Sequence, residues 1–245
     1  MNDVEAIERA TAAAVAPNHT EVFDGWVIGL APGEIRRGKS AAPLRHDSDG
    51  LGALSAVEAR YRTAGLAPIF RIAEVEGLQP LTLDLKRRGY VARNPTIVMA
   101  GDLADMRAVS REPADIAAIP GDGWLDVFTG EGFDRADGES RLAALSRSPS
   151  AVYASVTEDG ETLAVGVAAM SDAWVSVHGM RTSQAHRGRG LARRVLAGLA
   201  ARTTSLGHTR VFLQVEEENA SARRLYEAAG LSPRWRYVYW QPPEG

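Results

Sequence analysis

The stretch Arg187-Gly188-Arg189-Gly190-Leu191-Ala192 decides how the rest of the chain is read. Ahead of it, Ala173-Trp-Val-Ser-Val-His-Gly-Met180 is an apolar, β-branched run that predicts a buried strand over 173–182. Behind it, Leu191, Val195 and Leu199, flanked by Ala192 and Leu196, recur at helical spacing. They predict a helix over 191–205, with Gly207 placed to end it. Strand, glycine-rich arginine loop, helix: that order brings free backbone N–H groups to the positive end of a helix, where an anion binds. The glycines allow a backbone to approach a ligand closely. Arg187 and Arg189 add guanidinium groups that pair well with phosphate oxygens.

Working outward, Arg210–Val215 reads as a strand and Asn219–Ala229 as a helix capped by Asn219 and ended by Gly230. Trp235–Trp240 is an aromatic closing strand. Upstream, Ala151–Val156 and Thr162–Ala169 are strands joined by Glu158-Asp159-Gly160, a hairpin signal. A helix is expected over Glu139–Arg147. Another is expected after Pro113, followed by a loop holding Pro120, Gly121 and Gly123. The polar segment Gly101–Glu112 reads as a connection between two units.

The first unit begins with a helix over Glu5–Val15 ending at Pro17. Val22–Leu30 and Glu34–Arg37 read as strands around Ala31-Pro32-Gly33. A helix over Leu51–Ala64, a strand at Pro68–Ile72, a helix over Gln79–Arg88 and a strand at Pro95–Ala100 follow. A faint repeat links the units. Phe70-Arg-Ile72, a helix, Gly89-Tyr90 and a strand match Phe212–Val215, a helix, Gly230-Leu231 and the closing strand. Only the second copy carries the glycine-arginine loop, and Leu85 stands where the second copy has Tyr226.

The 245 residues suffice for one large domain or two small ones. A net charge of −3 gives no reason to expect nucleic acid or an anionic membrane as partner. The absence of cysteine excludes disulfides, thiolate metal sites and a cysteine nucleophile, and is compatible with a cytoplasmic location. No apolar run has the length of a membrane span, and the acidic N-terminus does not read as a signal peptide.

Asn219-Ala-Ser-Ala222-Arg-Arg-Leu225-Tyr226-Glu-Ala-Ala-Gly230-Leu231 carries the second signal. Leu225 and Ala229 belong on a core face, but a buried Tyr226 needs a partner for its hydroxyl. Together with Arg187–Ala192, one helix and one strand upstream, this segment resembles the GCN5-related N-acetyltransferase (GNAT) superfamily. That family's Gln/Arg-x-x-Gly-x-Gly/Ala loop is matched at Arg187, Gly190 and Ala192. Its Asn-x-x-Ala-x-x-Leu-Tyr-x-x-x-Gly-Phe helix is matched at Asn219, Ala222, Leu225, Tyr226 and Gly230, with Leu231 in place of Phe.

The resemblance implies an α/β fold: a mixed, centrally splayed GNAT sheet flanked by helices over 107–245. Residues 1–102 would form a smaller, degenerate GNAT-like unit, as in tandem GNAT proteins. It implies acetyl-CoA as co-substrate, with pantetheine against the backbone of Met180, Arg181 and Thr182. Pyrophosphate would lie on Arg187, Gly188, Arg189, Gly190, Leu191 and Ala192, bordered by Asn219 and Ala222. Tyr226 would lie near the sulfur. The implied reaction is direct acetyl transfer to an amine, with no metal and no covalent enzyme intermediate. The base is left open between His178, which titrates near neutrality, and Glu216 with its neighbours Glu217 and Glu218. By strand alternation Ser176, His178, Met180 and Thr182 share a face. Trp235, Tyr237, Tyr239 and Trp240 read as core and sheet edge, with the alternative that some of them wall the acceptor pocket together with Trp124 and Asp126; acceptor identity is not encoded in any recognisable pattern. The rival class is a non-catalytic acyl-CoA sensor.

One competing motif is present. Gly33-Glu-Ile-Arg-Arg-Gly38-Lys39-Ser40 satisfies G-x-x-x-x-G-K-S literally, but a P-loop needs a helix starting at its lysine. Here Ala-Ala-Pro43 follows, so the match is read as accidental.

Overall fold

The computed structural model describes residues 3–15, 19–30, 35–47, 51–130, 138, 142–145, 147–148 and 150–243. The chain runs α1 (Asp3–Ala14), β1 (Thr20–Phe23), β2 (Trp26–Gly29), a 3₁₀ turn (Arg36–Lys39), β3 (Ala41–Pro43) and α2 (Leu51–Thr63). Next come β4 (Phe70–Ala73), α3 (Gln79–Arg87), β5 (Val91–Asp102), α4 (Leu103–Ala108), β6 (Asp115–Ala117) and α5 (Asp122–Thr129). The hairpin β7 (Ala151–Glu158) and β8 (Glu161–Met170) leads to β9 (Val175–Thr182) and α6 (Leu191–Ser205). The chain closes with β10 (Arg210–Glu216), α7 (Ala220–Ala228) and β11 (Ser232–Gln241).

The described strands form one 11-stranded mixed sheet in the order β1-β2-β3-β4-β11-β5-β10-β9-β8-β7-β6. Its centre explains the faint repeat. The units β4–α3–β5 and β10–α7–β11 exchange their last strands, so that β11 pairs with β4 and β5 pairs with β10 (Val238↔Ile72, Leu213↔Met99). β5 and β11 then pair with each other. The exchange packs two backbones tightly: a Cβ on Gly101 would sit 2.5 Å from the carbonyl oxygen of Gly230.

Alternation along β10 distributes the core over both faces. Phe212 joins Ile7, Trp26, Leu54, Tyr61, Phe70, Leu85 and Tyr237 under α1, α2 and α3. Val211, Leu213 and Val215 join Leu103, Met106, Val195, Leu199, Tyr226 and Leu231 under α4, α6 and α7. At about 25 cal/mol per Å² of apolar surface, burying each large side chain contributes roughly 1.5–3 kcal/mol. No described helix is long and apolar enough to cross a membrane.

The sheet opens at one place. β9 and β10 run parallel and pair only from Val175–Val177 to Val211–Leu213, after which they separate. A bulge lies at the same level: the β8–β9 register shifts between Val165↔Arg181 and Val167↔His178. Gly179 and Met180 therefore face the single residue Gly166, and Gly179 takes φ +58°. Glycine is required opposite as well, since a Cβ on Gly166 would lie 2.6 Å from both Met180 Sδ and Val195 Cγ1.

Several sequence expectations need correction. Val22–Leu30 is a hairpin folded at Asp24-Gly25, both left-handed (φ +45° and +78°), rather than one strand. Of Glu34–Arg37, the described part is no strand; residues 36–39 form a 3₁₀ turn pinned against β2, where a Cβ on Gly29 would lie 2.3 Å from the Gly38 carbonyl oxygen. After Pro113 comes β6, not a helix, because the sheet edge at Tyr153–Ser155 pairs with it and Arg194 O accepts from Ala114 N–H at 2.9 Å. The Gly121–Gly123 loop is instead α5, whose burial of Trp124 and Phe128 outweighs the cost of a helical glycine. Gly101–Glu112 contains the end of β5 and all of α4. The expected Glu139–Arg147 helix lies partly outside the described residues; within them Leu142–Leu145 are helical. Pro17 and Ala31–Gly33 also lie outside them.

Candidate active site

The glycine-arginine loop is built by backbone conformation. Gly188 and Gly190 take φ +80° and +79°, and no atom lies within 4 Å of where their Cβ would stand. Conformation, not crowding, demands glycine there, and open space is left over the backbone. Gly190 is the N-cap of α6, so Leu191 and Ala192 present the first-turn N–H groups that have no intrahelical acceptor. Their neighbours from Gly188 to Gly190 also find no backbone acceptor among the described residues. Five successive N–H groups at a helix N-terminus suit a bridged, doubly charged anion such as pyrophosphate. The loop arginines behave unequally. Arg189 Nη2 is held 2.6 Å from Glu158 Oε2, a carboxylate shared with Arg194 at 3.0 Å, whereas Arg187 reaches only the Thr182 carbonyl at 3.5 Å.

The gap between β9 and β10 is a cavity of about 290 Å³. Met180, Val215, Asn219, Ala222 and Tyr226 line it from the α6–α7 face. Tyr226 is 8 % exposed, and its hydroxyl has no hydrogen-bond partner among the described residues. Burial pushes its phenol up to about 12. Asn219 caps α7, its side-chain oxygen accepting from Ala222 N–H at 3.1 Å. Glu216, at the exposed end of β10, is the one carboxylate lining the cavity among the described residues. Glu217 instead takes Arg236 with both oxygens at 3.0 Å.

The opposite wall is a polar relay. The Ser176 hydroxyl donates to the Ala169 carbonyl at 3.3 Å, so it accepts from His178 Nε2–H at 2.7 Å. That assigns the proton to Nε2 and leaves the Nδ1 lone pair to accept from Arg37 Nη1 at 3.0 Å. Burial and the Arg37 charge both press the imidazole well below its usual range, so it is neutral at pH 7. Arg37 Nη1 also reaches Gln214 Oε1 at 3.5 Å, which accepts from the Tyr237 hydroxyl at 2.8 Å. Gln214 Nε2 donates to Thr11 of α1 at 2.9 Å.

The bulge corrects the expected strand face. His178 points to the α1 side with Arg37, while Met180 packs with the α6 core, so residues 176, 178, 180 and 182 do not share one side. Glycine within a predicted strand was the available signal. Trp124 is a core residue, donating to the Gly166 carbonyl at 3.3 Å and stacked on Phe128, and Asp126 lines a separate cavity with Glu161 and Ser183. Of the closing-strand aromatics Tyr237 and Tyr239 line the gap, as does Phe128, whereas Trp235 and Trp240 pack with the core and are not in its lining. Sequence reading missed Ile35, Arg36, Arg37, Asn94 and Thr96, all from the first hundred residues. The lysine of the literal P-loop pattern ends its 3₁₀ turn and β3 follows, with no helix to face phosphates.

A splayed mixed sheet with a positive-φ glycine loop at the following helix defines a GNAT fold and an acyltransferase. Residues 1–240 match the family described as "Probable histone acetyltransferase Rv0428c C-terminal", and the chain belongs to this family of GNAT acetyltransferases. It is 26 % identical over 244 residues to "Uncharacterized N-acetyltransferase YobR" of Bacillus subtilis (strain 168), covering 98 % of each chain. Among solved structures it resembles a GCN5-related N-acetyltransferase from Kribbella flavida (TM-score 0.74, 18 % identity, 100 % of this chain and 97 % of that one). It also resembles a tandem GNAT protein from the clavulanic acid biosynthesis pathway (TM-score 0.61, 17 % identity, 100 % and 90 % covered). These last two likenesses concern the fold.

Proposed function

We propose that the protein transfers the acetyl group of acetyl-CoA to an amine in a ternary complex, as a cytoplasmic enzyme. The observation carrying this reading is the pairing of the Gly188–Ala192 N–H cradle with a partnerless phenol, Tyr226, at the open seam of one sheet. The cradle suits the pyrophosphate, and the unpaired edge of β9 from His178 to Thr182 suits pantetheine amides. Residues 107–245 are the catalytic unit in this reading, and residues 1–102 are a degenerate relative of it.

In the reaction the amine nitrogen bonds to the thioester carbonyl carbon as the carbon–sulfur bond breaks. The amine loses one proton and the sulfur gains one. Glu216 draws the cationic amine to the cavity and receives its proton, directly or through water. His178 is disfavoured in that role because its lone pair already accepts from Arg37; it holds Arg37 in place. Tyr226 faces a thiol whose ordinary pKa is roughly 8.5. With its own near 12, complete proton transfer runs uphill by about 3.5 units, close to 5 kcal/mol. Tyr226 therefore acts as a hydrogen-bond donor to the developing thiolate, and water supplies the final proton.

Thiol release from acetyl-CoA across an amine panel tests the reading. CoA at about 100 times its Kd should also stabilise the fold by roughly 2.7 kcal/mol. Stabilisation without thiol release on a wide panel would instead identify a sensor.

A further inference from the structure

Several arginines of the described structure are matched with carboxylates: Arg71 with Glu8, Arg88 with Glu58 and Asp84, Arg189 and Arg194 with Glu158, Arg236 with Glu217 and Glu74. Arg37 is not. It is half-buried in the gap, and its hydrogen bonds go to neutral acceptors, His178 Nδ1 and Gln214 Oε1, both through Nη1. A guanidinium carries five N–H donors in a planar fork. Nε and Nη2 have no acceptor among the described residues. Arg36 beside it lines the same cavity with no ion-pair partner among the described residues. Near Arg36 and Arg37, the described lining supplies only one carboxylate, Glu216.

The unused Nε and Nη2 are not among the buried polar atoms, so they stand open in the cavity, where one oxyanion can accept from both in the bidentate geometry guanidinium favours. The anion is not the CoA pyrophosphate. The relay Arg37–His178–Ser176 and Arg37–Gln214–Thr11 lies on the α1 side of the sheet, whereas the glycine cradle opens α6 on the other. The position is fixed, because the 3₁₀ turn is wedged on Gly29 and tied by Gly29 N–H to the Ser40 carbonyl at 3.1 Å.

We infer that Arg37, assisted by Arg36, binds an oxyanion of the acceptor, so that the enzyme's preferred substrates are amines that also carry a carboxylate or a phosphate. This rests on the acetyl-transfer reading above. The acceptor would bridge the cavity with its anion on Arg37 and its nitrogen toward Glu216 and Tyr226.

The test is thiol release by the full chain with saturating acetyl-CoA on matched pairs: amino acids against their carboxamides, and amino-sugar phosphates against the free amino sugars. Charge-assisted hydrogen bonds are worth roughly tenfold to a hundredfold. The acid member of at least one pair should exceed its neutral twin at least tenfold in kcat/KM, and the responding pair distinguishes carboxylate from phosphate. Arg37→Gln should reduce that ratio below twofold, mainly through KM, while Arg37→Lys retains part of it. CoA affinity measured on each variant checks that it is folded. Equal turnover of acids and neutral twins would overturn the inference alone, as would an unchanged ratio in Arg37→Gln. Turnover of no amine at all would overturn it together with the acetyl-transfer reading. The wild-type comparison needs no variant, so misfolding of Arg37→Gln cannot shelter the idea.

Discussion

Replacing Tyr226 by Phe removes one oxygen from the wall of the gap. The ring remains in the core under α6 and α7, and the lost hydroxyl has no internal partner, so the melting temperature should stay within about 2 °C. Affinity for CoA should also change little, because the cradle at Gly188–Ala192 is untouched. Turnover is where the loss belongs. A proton donor is worth about 10²- to 10⁴-fold. A hydrogen bond to a developing charge is worth roughly 1.5–3 kcal/mol, or about 10- to 150-fold. With the phenol held near 12 by burial, the structure favours the smaller figure. The assay is kcat by thiol release with saturating amine, alongside CoA affinity by calorimetry. A kcat within threefold of wild type would remove Tyr226 from the chemistry. A loss beyond about 10³-fold would mean complete proton transfer and refute the argument from relative acidity. The pH profile adds a second check: kcat should not fall near pH 10 for want of a protonated Tyr226.

Gly190→Ala should cost only about 1–2 kcal/mol of stability, the penalty of a left-handed non-glycine residue. CoA affinity should nevertheless fall more than tenfold by titration calorimetry, since the new methyl occupies the open space above the cradle. Glu8→Gln leaves Arg71 buried without its counter-charge, a loss of about 3–5 kcal/mol that thermal melting should register as roughly 6–20 °C. Burial pushes the Glu8 carboxyl up, but Arg71 and His46 outweigh it and hold it below 4.5. Its stabilisation is therefore present above pH 4.5 and lost as pH falls through the folded value, an acid limb that Glu8→Gln should flatten. Tyr226 acts in the opposite direction. Raised from 10.0 to about 12, it makes the fold lose stability as pH climbs from 10 toward 12, on the order of 2–3 kcal/mol in alkaline melts. Glu216→Gln should lower kcat/KM at neutral pH and recover part of it as pH rises and the amine loses its own proton, a trend that rate profiles would expose.

Local signals were legible where they were sufficient. The 191–205 helix is found as read because a left-handed glycine opens it and Gly207, at φ +92°, ends it. The β7–β8 turn and the cap at Asn219 are likewise decided within four residues. What escaped was decided by distant partners. The chain entering β6 is held at Ala114 because Gly198, far along the chain, lets the Ala114 carbonyl approach to 2.6 Å of a would-be Cβ. The α5 helix begins at glycines that propensity disfavours and is held by aromatic packing on β7 and β8. The His178–Met180 face inverted because one bulge changes the parity of a strand, and only Gly179 hinted at it.

The same distinction separates the two halves of the site. Backbone-based recognition of the donor needs glycines at fixed spacing, which a single sequence displays. Recognition of the acceptor uses side chains converging from remote strands, which it does not. Arg37 shows why. In the sequence it sat inside a chance phosphate-loop pattern and signalled nothing of its own. In the fold, β5 and β11 have traded places, fastening the first hundred residues beside β10, and Gln214 of β10 lies within reach of Arg37. A free-standing second half would lack Ile35, Arg36, Arg37, Asn94 and Thr96, and the gap would open to solvent along that wall. The first half therefore does more than support the sheet: it supplies one side of the cavity, and with it Arg37, the cation proposed above to hold the acceptor's anion.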